Sequence, residues 1–339
     1  MPTNFESADK DPKITIGVEL ECILWDPAKG QAVDVDEVFP GGISTGRAFE
    51  KIGRDTGIAS LEFATRIASE PGELTNSFLE LRKRVKEKAP HLTLLFQSRA
   101  PRSGEALAKK DRYKAFFEAL QMESPEHWQR AYEMPKWNST QFHLGIDPMS
   151  PQGISIMNIL NDISPYAAWA VTQKFQVVGE EGHLGIWQKY ADSRRFSEHG
   201  RWFSDPEELK SFYGSVPRLI KVEKDAQGAE HVVPDLESMS RHGDPISEGT
   251  IWWFARPRVA FSTIEWRSFP SLQPSHVLVL AKDVHALAVL LKKELPQDRV
   301  VTPDEYPALY AKLAKLSYLV PEKPLTKEEW NKLAEREPA

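Results

Sequence analysis

Residues 14–25 read ITIGVELECILW, a run in which every second side chain is apolar: Ile14, Ile16, Val18, Leu20, Cys22 and Leu24. Strand residues point alternately to opposite faces, so this is a half-buried strand with Thr15, Gly17, Glu19 and Glu21 on its polar side. Its apolar face needs a covering layer. Its polar face holds two carboxylates roughly 6 to 7 Å apart, which is the spacing of alternate strand residues.

The same split recurs downstream. In 58–68, Leu61, Phe63 and Ile67 oppose Ser60, Glu62 and Arg66; in 139–147, Phe142, Leu144 and Ile146 oppose Gln141, His143 and Asp147. Segments 250–257 and 261–269 supply the last sheet material, with Glu265 and Arg267 on one face. Apolar spacings of three and four predict helices over 71–88 and 105–122. Residues 151–174 read as helical with a break at Pro165, 180–205 as a polar loop, and 218–233 as a hairpin turning near Gly228. After Pro274 the pattern is helical, broken near Pro296 and Pro321. Strands and helix pairs without strict βαβ alternation predict an α+β fold with an antiparallel sheet.

At roughly 150 residues per domain, 339 residues make two domains or one large one. No repeat or Gly/Ser linker divides the chain, which favours one domain over 1–339, with a core at about 14–295 and a helical extension over 296–339. The 49 acidic residues exceed the 43 basic ones, giving a formal charge of -6. The chain as a whole lacks the positive field that nucleic acid or an anionic membrane demands. Cys22, the single cysteine, excludes an internal disulfide and a cysteine-based zinc site, as a reducing compartment would permit. The N-terminal segment is polar and no run approaches the ~18 apolar residues of a membrane span, so a cytoplasmic protein is expected. Neither a P-loop nor a G-x-G-x-x-G motif is present.

If Glu19, Glu21, Glu62, His143 and Glu265 share one sheet face, four carboxylates and an imidazole crowd together. Uncompensated like charges raise one another's pKa, and a divalent cation removes that conflict. Oxygen-rich ligation suits Mg²⁺ (or Mn²⁺), which is normally shared with nucleotide phosphates. For each residue singly, the alternative is a solvated sheet face. Arg267 either contacts a phosphoryl oxygen or pairs across strands with a glutamate. Arg256 is a substrate carboxylate clamp or a plain surface arginine. Arg194, Arg195 and Arg201 either close over phosphates or belong to an exposed loop. Trp252, Trp253 and Trp266 read as core or cleft wall, and Cys22 as a buried thiol.

In sequence order, TIGVELECILWD resembles the "G-x-E-x-E" strand of the carboxylate-amine ligases related to glutamate-cysteine ligase, LEFAT their second strand, and QFHLGID their "H-x-H-x-G" strand. TIWWFARP followed by STIEWRSF is similar to their "WW-x-x-RP … T-x-E-x-R" signature. The resemblance spans about 14–295. It implies a glutamine synthetase-like fold: a curved antiparallel sheet lining the active site, with helices on the outer face. It also implies ATP-dependent amide formation, γ-glutamyl among the options, through an acyl phosphate with release of ADP and phosphate. Glu19, Glu21, Glu62 and Glu265 would be metal ligands, His143 would contact metal or nucleotide, and Arg267 would stabilise the transferred phosphoryl group. Apart from the resemblance, Arg194 of the polar loop is expected to bind nucleotide.

Two positions depart from that pattern: Gln141 replaces a histidine, and Pro270 stands where the family carries aspartate. Substrates are then a small carboxylate and an amine of amino-acid type, with a homo-oligomer left open. The competing readings are an altered ligase-like module that binds metal-nucleotide and a partner, and a metal-dependent hydrolase.

Overall fold

A computed structural model describes residues 13–44, 50–104, 111–123, 125, 136–177 and 193–334. In chain order its first half contains β1 (Ile16–Asp26), β2 (Gln31–Ala32), α1 (Val35–Val38), β3 (Ile43–Ser44), β4 (Lys51–Arg54), β5 (Ser60–Ala64), α2 (Leu74–Lys88), β6 (Thr93–Leu95), α3 (Asp111–Glu123) and β7 (Ser139–Leu144). Then follow α4 (Pro151–Phe175), α5 (Pro206–Tyr213), β8 (Ile220–Lys224), β9 (Glu230–Pro234), α6 (Pro245–Gly249), β10 (Ala255–Arg258), β11 (Thr263–Pro270), α7 (Pro274–Glu294), α8 (Tyr306–Leu313) and α9 (Lys327–Ala334).

The main sheet runs β10-β11-β7-β1-β5-β4-β3, every neighbouring pair antiparallel, with β2 and β6 paired to the far end of β1. β1 is central because its alternation is the longest. Val18, Leu20, Cys22 and Leu24 are wholly buried on one face, in a core that continues into Ile264 and Trp266 of β11. α4 covers β10 and β11, and α7 covers β1 and β7 and touches α2. The helices thus form the outer layer. On the polar side, α3 packs against the separate β8–β9 hairpin, and Phe116 and Leu120 join Trp252 in a second apolar cluster.

Several elements differ from the sequence expectation. α4 runs unbroken through Pro165. Proline costs a helix interior about 3 kcal/mol, but Ile163, Ser164, Pro165 and Ala167 are all buried in the core, and that packing holds the helix through this position. Its start is fixed by Ser150, whose side chain accepts from Gly153 N. There a Cβ would stand 1.9 Å from the Asp147 carbonyl, so only glycine fits. Residues 251–254 are not strand; Trp252, Trp253 and Phe254 precede β10 as cleft wall. α3 covers part of the predicted 105–122 helix, residues 105–110 lying outside the described residues. The hairpin turns at Gly228, whose φ of 83° favours glycine.

α7 also corrects the membrane reading, being long and apolar enough to cross a bilayer by length and composition. It packs on the sheet, with Val277, Leu280, Ala281, Val284, Leu287 and Leu291 buried in the core. The same core takes in Tyr306, Tyr310 and Leu319 beyond residue 295.

Candidate functional site

Antiparallel register sets the polar residues side by side. Glu21 lies opposite Glu62 of β5, and Glu19 opposite Gln141 of β7. His143 lies opposite Gly17 on one side and Glu265 on the other, and Glu265 in turn opposite Arg256. Five of the expected residues therefore meet on one face. They fall into two groups, Glu21 with Asp55 and Glu62, and Glu19 with His143 and Glu265; in each, the candidate ligand atoms lie within 4.8 Å of one another. A cleft of about 380 Å³ opens over the first group, walled by Arg258 and Arg267 of the last two strands, by Arg112 and Tyr113 of α3, and by Trp252 and Phe254.

The first group is acidic and poorly neutralised. Burial, with Asp55 and Glu62 nearby, pushes Glu21 well above the usual carboxylate range. Burial and the charge of Glu19 raise Glu62 to about 7, although Lys51 Nζ lies 3.0 Å away. Burial raises Asp55 as well. Glu21 is held in place by the Ser139 N–H at 2.7 Å and by the Gln141 side-chain amide at 2.6 Å. Gln141, a departure from the family pattern, thus orients a carboxylate.

The second group is already balanced. His143 Nε2 is 3.5 Å from Glu19, and its Nδ1 is 3.3 Å from the Thr263 hydroxyl. Burial opposes charge on both, yet each stabilises the other: Glu19 falls below, and His143 rises above, its ordinary value. Burial would raise Glu265, but Arg256, Arg267 and Arg258, at 2.9, 3.2 and 3.5 Å, hold it far below the carboxylate range.

A hard divalent cation fits the first group as it stands: three oxygen donors, Glu21 buried and Asp55 and Glu62 half-buried, whose mutual repulsion it would relieve. The second group is equally close-set, but Glu265 there is already engaged by three arginines.

The arginines singled out in the sequence are engaged by the protein itself, although Arg256 and Arg267 also line the cleft. Arg256 is no free clamp. Its Nε and one Nη bind Glu265, and the other Nη donates to the Glu248, Gly249 and Ile251 carbonyls at 3.1, 3.3 and 2.8 Å. Arg194 is absent from the cleft lining, its guanidinium donating to the Ser215 carbonyl. Arg195 is wholly buried against Glu123 and the Thr250 and Pro217 carbonyls, and Arg201 binds Glu198 and the Phe196 carbonyl. These three tie their loop down. The intervening residues 178–192 of the expected polar loop lie outside the described residues. Arg267 pairs with Glu265 on its own strand, two residues away, rather than across strands.

Sequence reasoning missed Asp55, Lys51 and Arg112. The strand holding Lys51 has only four residues and one apolar side chain, Ile52, so it shows no alternation. The one available signal was Asp55-Thr56-Gly57, a turn-forming triplet just before β5.

No family model matches the sequence, and no curated protein matches it. Among solved structures, the chain is similar to a bifunctional glutathione synthetase from Pasteurella multocida, with a TM-score of 0.43 and 14% identity over 96% of this chain and 46% of that one. It is also similar to a glutamate-cysteine ligase from Francisella tularensis in complex with AMP, with a TM-score of 0.40 and 10% identity over 95% of this chain and 80% of that one. The chain spans about 46% of the length of the first of these proteins.

Proposed function

We propose that this chain is a single-domain, ATP-dependent carboxylate-amine ligase. The observation that carries the reading is the pairing, in one cleft, of a carboxylate trio, Glu21, Asp55 and Glu62, with two arginines, Arg258 and Arg267. A phosphoryl group with its counter-ion needs both, whereas a nucleophilic side chain is not required.

Mg²⁺ or Mn²⁺ bound by the trio would neutralise and align the nucleotide phosphates. Ser139 and Gln141 keep Glu21 aimed at that place, and Lys51 steadies Glu62. Arg258 and Arg267 receive the oxygens of the γ-phosphoryl group. An oxygen of the substrate carboxylate bonds to the γ-phosphorus as the bond to the bridging oxygen breaks, releasing ADP. The neutral amine nitrogen then attacks the acyl carbon, the acyl carbon–oxygen bond to phosphate breaks, and the amine's proton leaves with the departing phosphate or to solvent. What the protein supplies is position and charge.

Arg256 also lines the cleft, but its guanidinium is already engaged by Glu265 and three carbonyls. Exposed Arg112, which lines the cleft, takes its place as the cation that meets a substrate carboxylate. ADP formation with Mg²⁺ and ATP, measured against pools of carboxylates and amines, tests the reading.

A further inference from the structure

The cleft has an apolar wall that the phosphoryl step leaves unused. Phe116 of α3, Ile220 of β8 and Trp252 line it, and they belong to the second apolar cluster, which backs them. The Phe116 and Trp252 rings meet edge to face with centroids 5.3 Å apart, and Phe196 stacks on Trp252 at 5.8 Å. Arg195 ties the wall together. Its guanidinium binds both carboxylate oxygens of Glu123 at the end of α3, and its carbonyl accepts the Trp252 N–H at 2.7 Å.

Arg112 stands one turn before Phe116 on the same face of α3. A Cβ on Gly249 would lie 3.6 Å from one of its Nη atoms, so the guanidinium sits over the chain that leads into Trp252. Tyr113, next to Arg112, also lines the cleft, and burial with the charges of Asp55 and Glu62 holds its phenol protonated. An exposed cation thus borders an aromatic wall at one side of the cleft, with the carboxylate trio within electrostatic reach.

A carboxylate bound at Arg112 is not the one that attacks phosphorus at Arg258 and Arg267. The molecule held there reacts through its amine. Phe116, Ile220 and Trp252 offer its side chain no charged or hydrogen-bonding group, so apolar surface displaces water from them most favourably.

We propose that the amine substrate is an α-amino acid with a large apolar, preferably aromatic, side chain: Arg112 holds its carboxylate, and Phe116, Ile220 and Trp252 take the side chain. This rests on the ligase reading. The amine nitrogen bonds to the acyl carbon as phosphate leaves it, the amine's proton departs with phosphate or to solvent, and the product keeps the amino acid's carboxylate.

The whole chain is assayed for ADP with Mg²⁺, ATP, a pool of carboxylates and single amines: L-phenylalanine, L-leucine, glycine, phenethylamine, then pools of other amines. L-Phenylalanine should exceed glycine in kcat/KM by roughly tenfold or more, through its side chain. Phenethylamine, which lacks the carboxylate, should fall roughly tenfold below L-phenylalanine. Either compound matching L-phenylalanine overturns the proposal, as does ADP formed with other amines but with neither apolar amino acid.

Phe116→Leu keeps the cluster apolar and removes the ring. The L-phenylalanine-to-glycine ratio should drop about fivefold, with KM for ATP unchanged. A raised KM for ATP with an unchanged ratio would assign the wall to the adenine ring and overturn the proposal. Should this variant not fold, the wild-type comparison of amines decides. ADP formed with no amine at all in the panel or pools overturns the ligase reading, and calorimetry with Mg²⁺ and ADP present then judges the wall separately: L-phenylalanine binding roughly tenfold more tightly than glycine supports it, and equal binding overturns it.

Discussion

Arg256 and Glu265 stand opposite each other in the β10–β11 register and share two hydrogen bonds, of 2.9 and 3.0 Å, at 6% and 1% exposure. A buried pair of this kind rarely adds much net stability, but removing the guanidinium takes two bonds from Glu265, which Arg258 and Arg267 still face, and leaves the Glu248, Gly249 and Ile251 carbonyls without that donor. Arg256→Ala should therefore cost about 3–5 kcal/mol, measured by urea unfolding. Arg256→Lys should recover little of it, because an ammonium cannot reproduce the forked contact with Glu265 and three carbonyls at once.

The same geometry changes what is expected at Glu265. From sequence alone, Glu265→Gln removes a charge at constant volume and should abolish turnover with the fold intact. With three arginines gathered on that carboxylate, the substitution also leaves an excess of buried positive charge. It should lower stability by roughly 3–5 kcal/mol as well as turnover. A variant with wild-type melting would show that the arginines do not depend on Glu265.

Asp55→Asn tests the carboxylate trio. It removes one of three hard donors and leaves Glu21 and Glu62 in place, so Mn²⁺ affinity should drop at least ~10-fold, on the order of 1.4 kcal/mol. The readout is the paramagnetic resonance signal of free Mn²⁺, which requires no substrate. Unchanged Mn²⁺ binding would place the cation elsewhere.

Glu62, raised to about 7, and Glu21, raised well above 4.5, hold protons in the folded chain that the unfolded chain releases near 4.5. Between those values the folded state binds more protons, so without cation stability falls as pH rises through about 4.5 to 7. His143 acts in the same direction: raised above 6.5 in the fold, it contributes stability that is lost as pH rises through its folded value. In chelator, melting should therefore be lower at about pH 8 than at about pH 5.5, and Mg²⁺ should restore it at the higher pH. Equal melting at both, with no response to Mg²⁺, would contradict the raised carboxylates.

How much of this was legible in sequence follows from where the information sits. Period-two alternation placed Glu19, Glu21, Glu62, His143 and Glu265 on polar strand faces, and antiparallel register brought those faces together. Asp55 was hidden because a turn residue has no periodicity to reveal it, and Lys51 because its strand is too short. Pro165 misled because local propensity carries no knowledge of the core that α4 enters. Arg256 misled for a related reason: a strand-end arginine looks available until the backbone of 248–251 folds over it. Burial of the whole segment, not the residue type, decided its role.

Amine-dependent consumption of ATP is the defining property of the proposed ligase. With Mg²⁺ and ATP present, ADP should form only when both a carboxylate and an amine are supplied, and one phosphate should appear per amide bond. Glu21→Gln and Arg267→Ala should each remove that activity. No amine-dependent ADP from any pool would contradict the account, as would hydrolysis that proceeds without ATP.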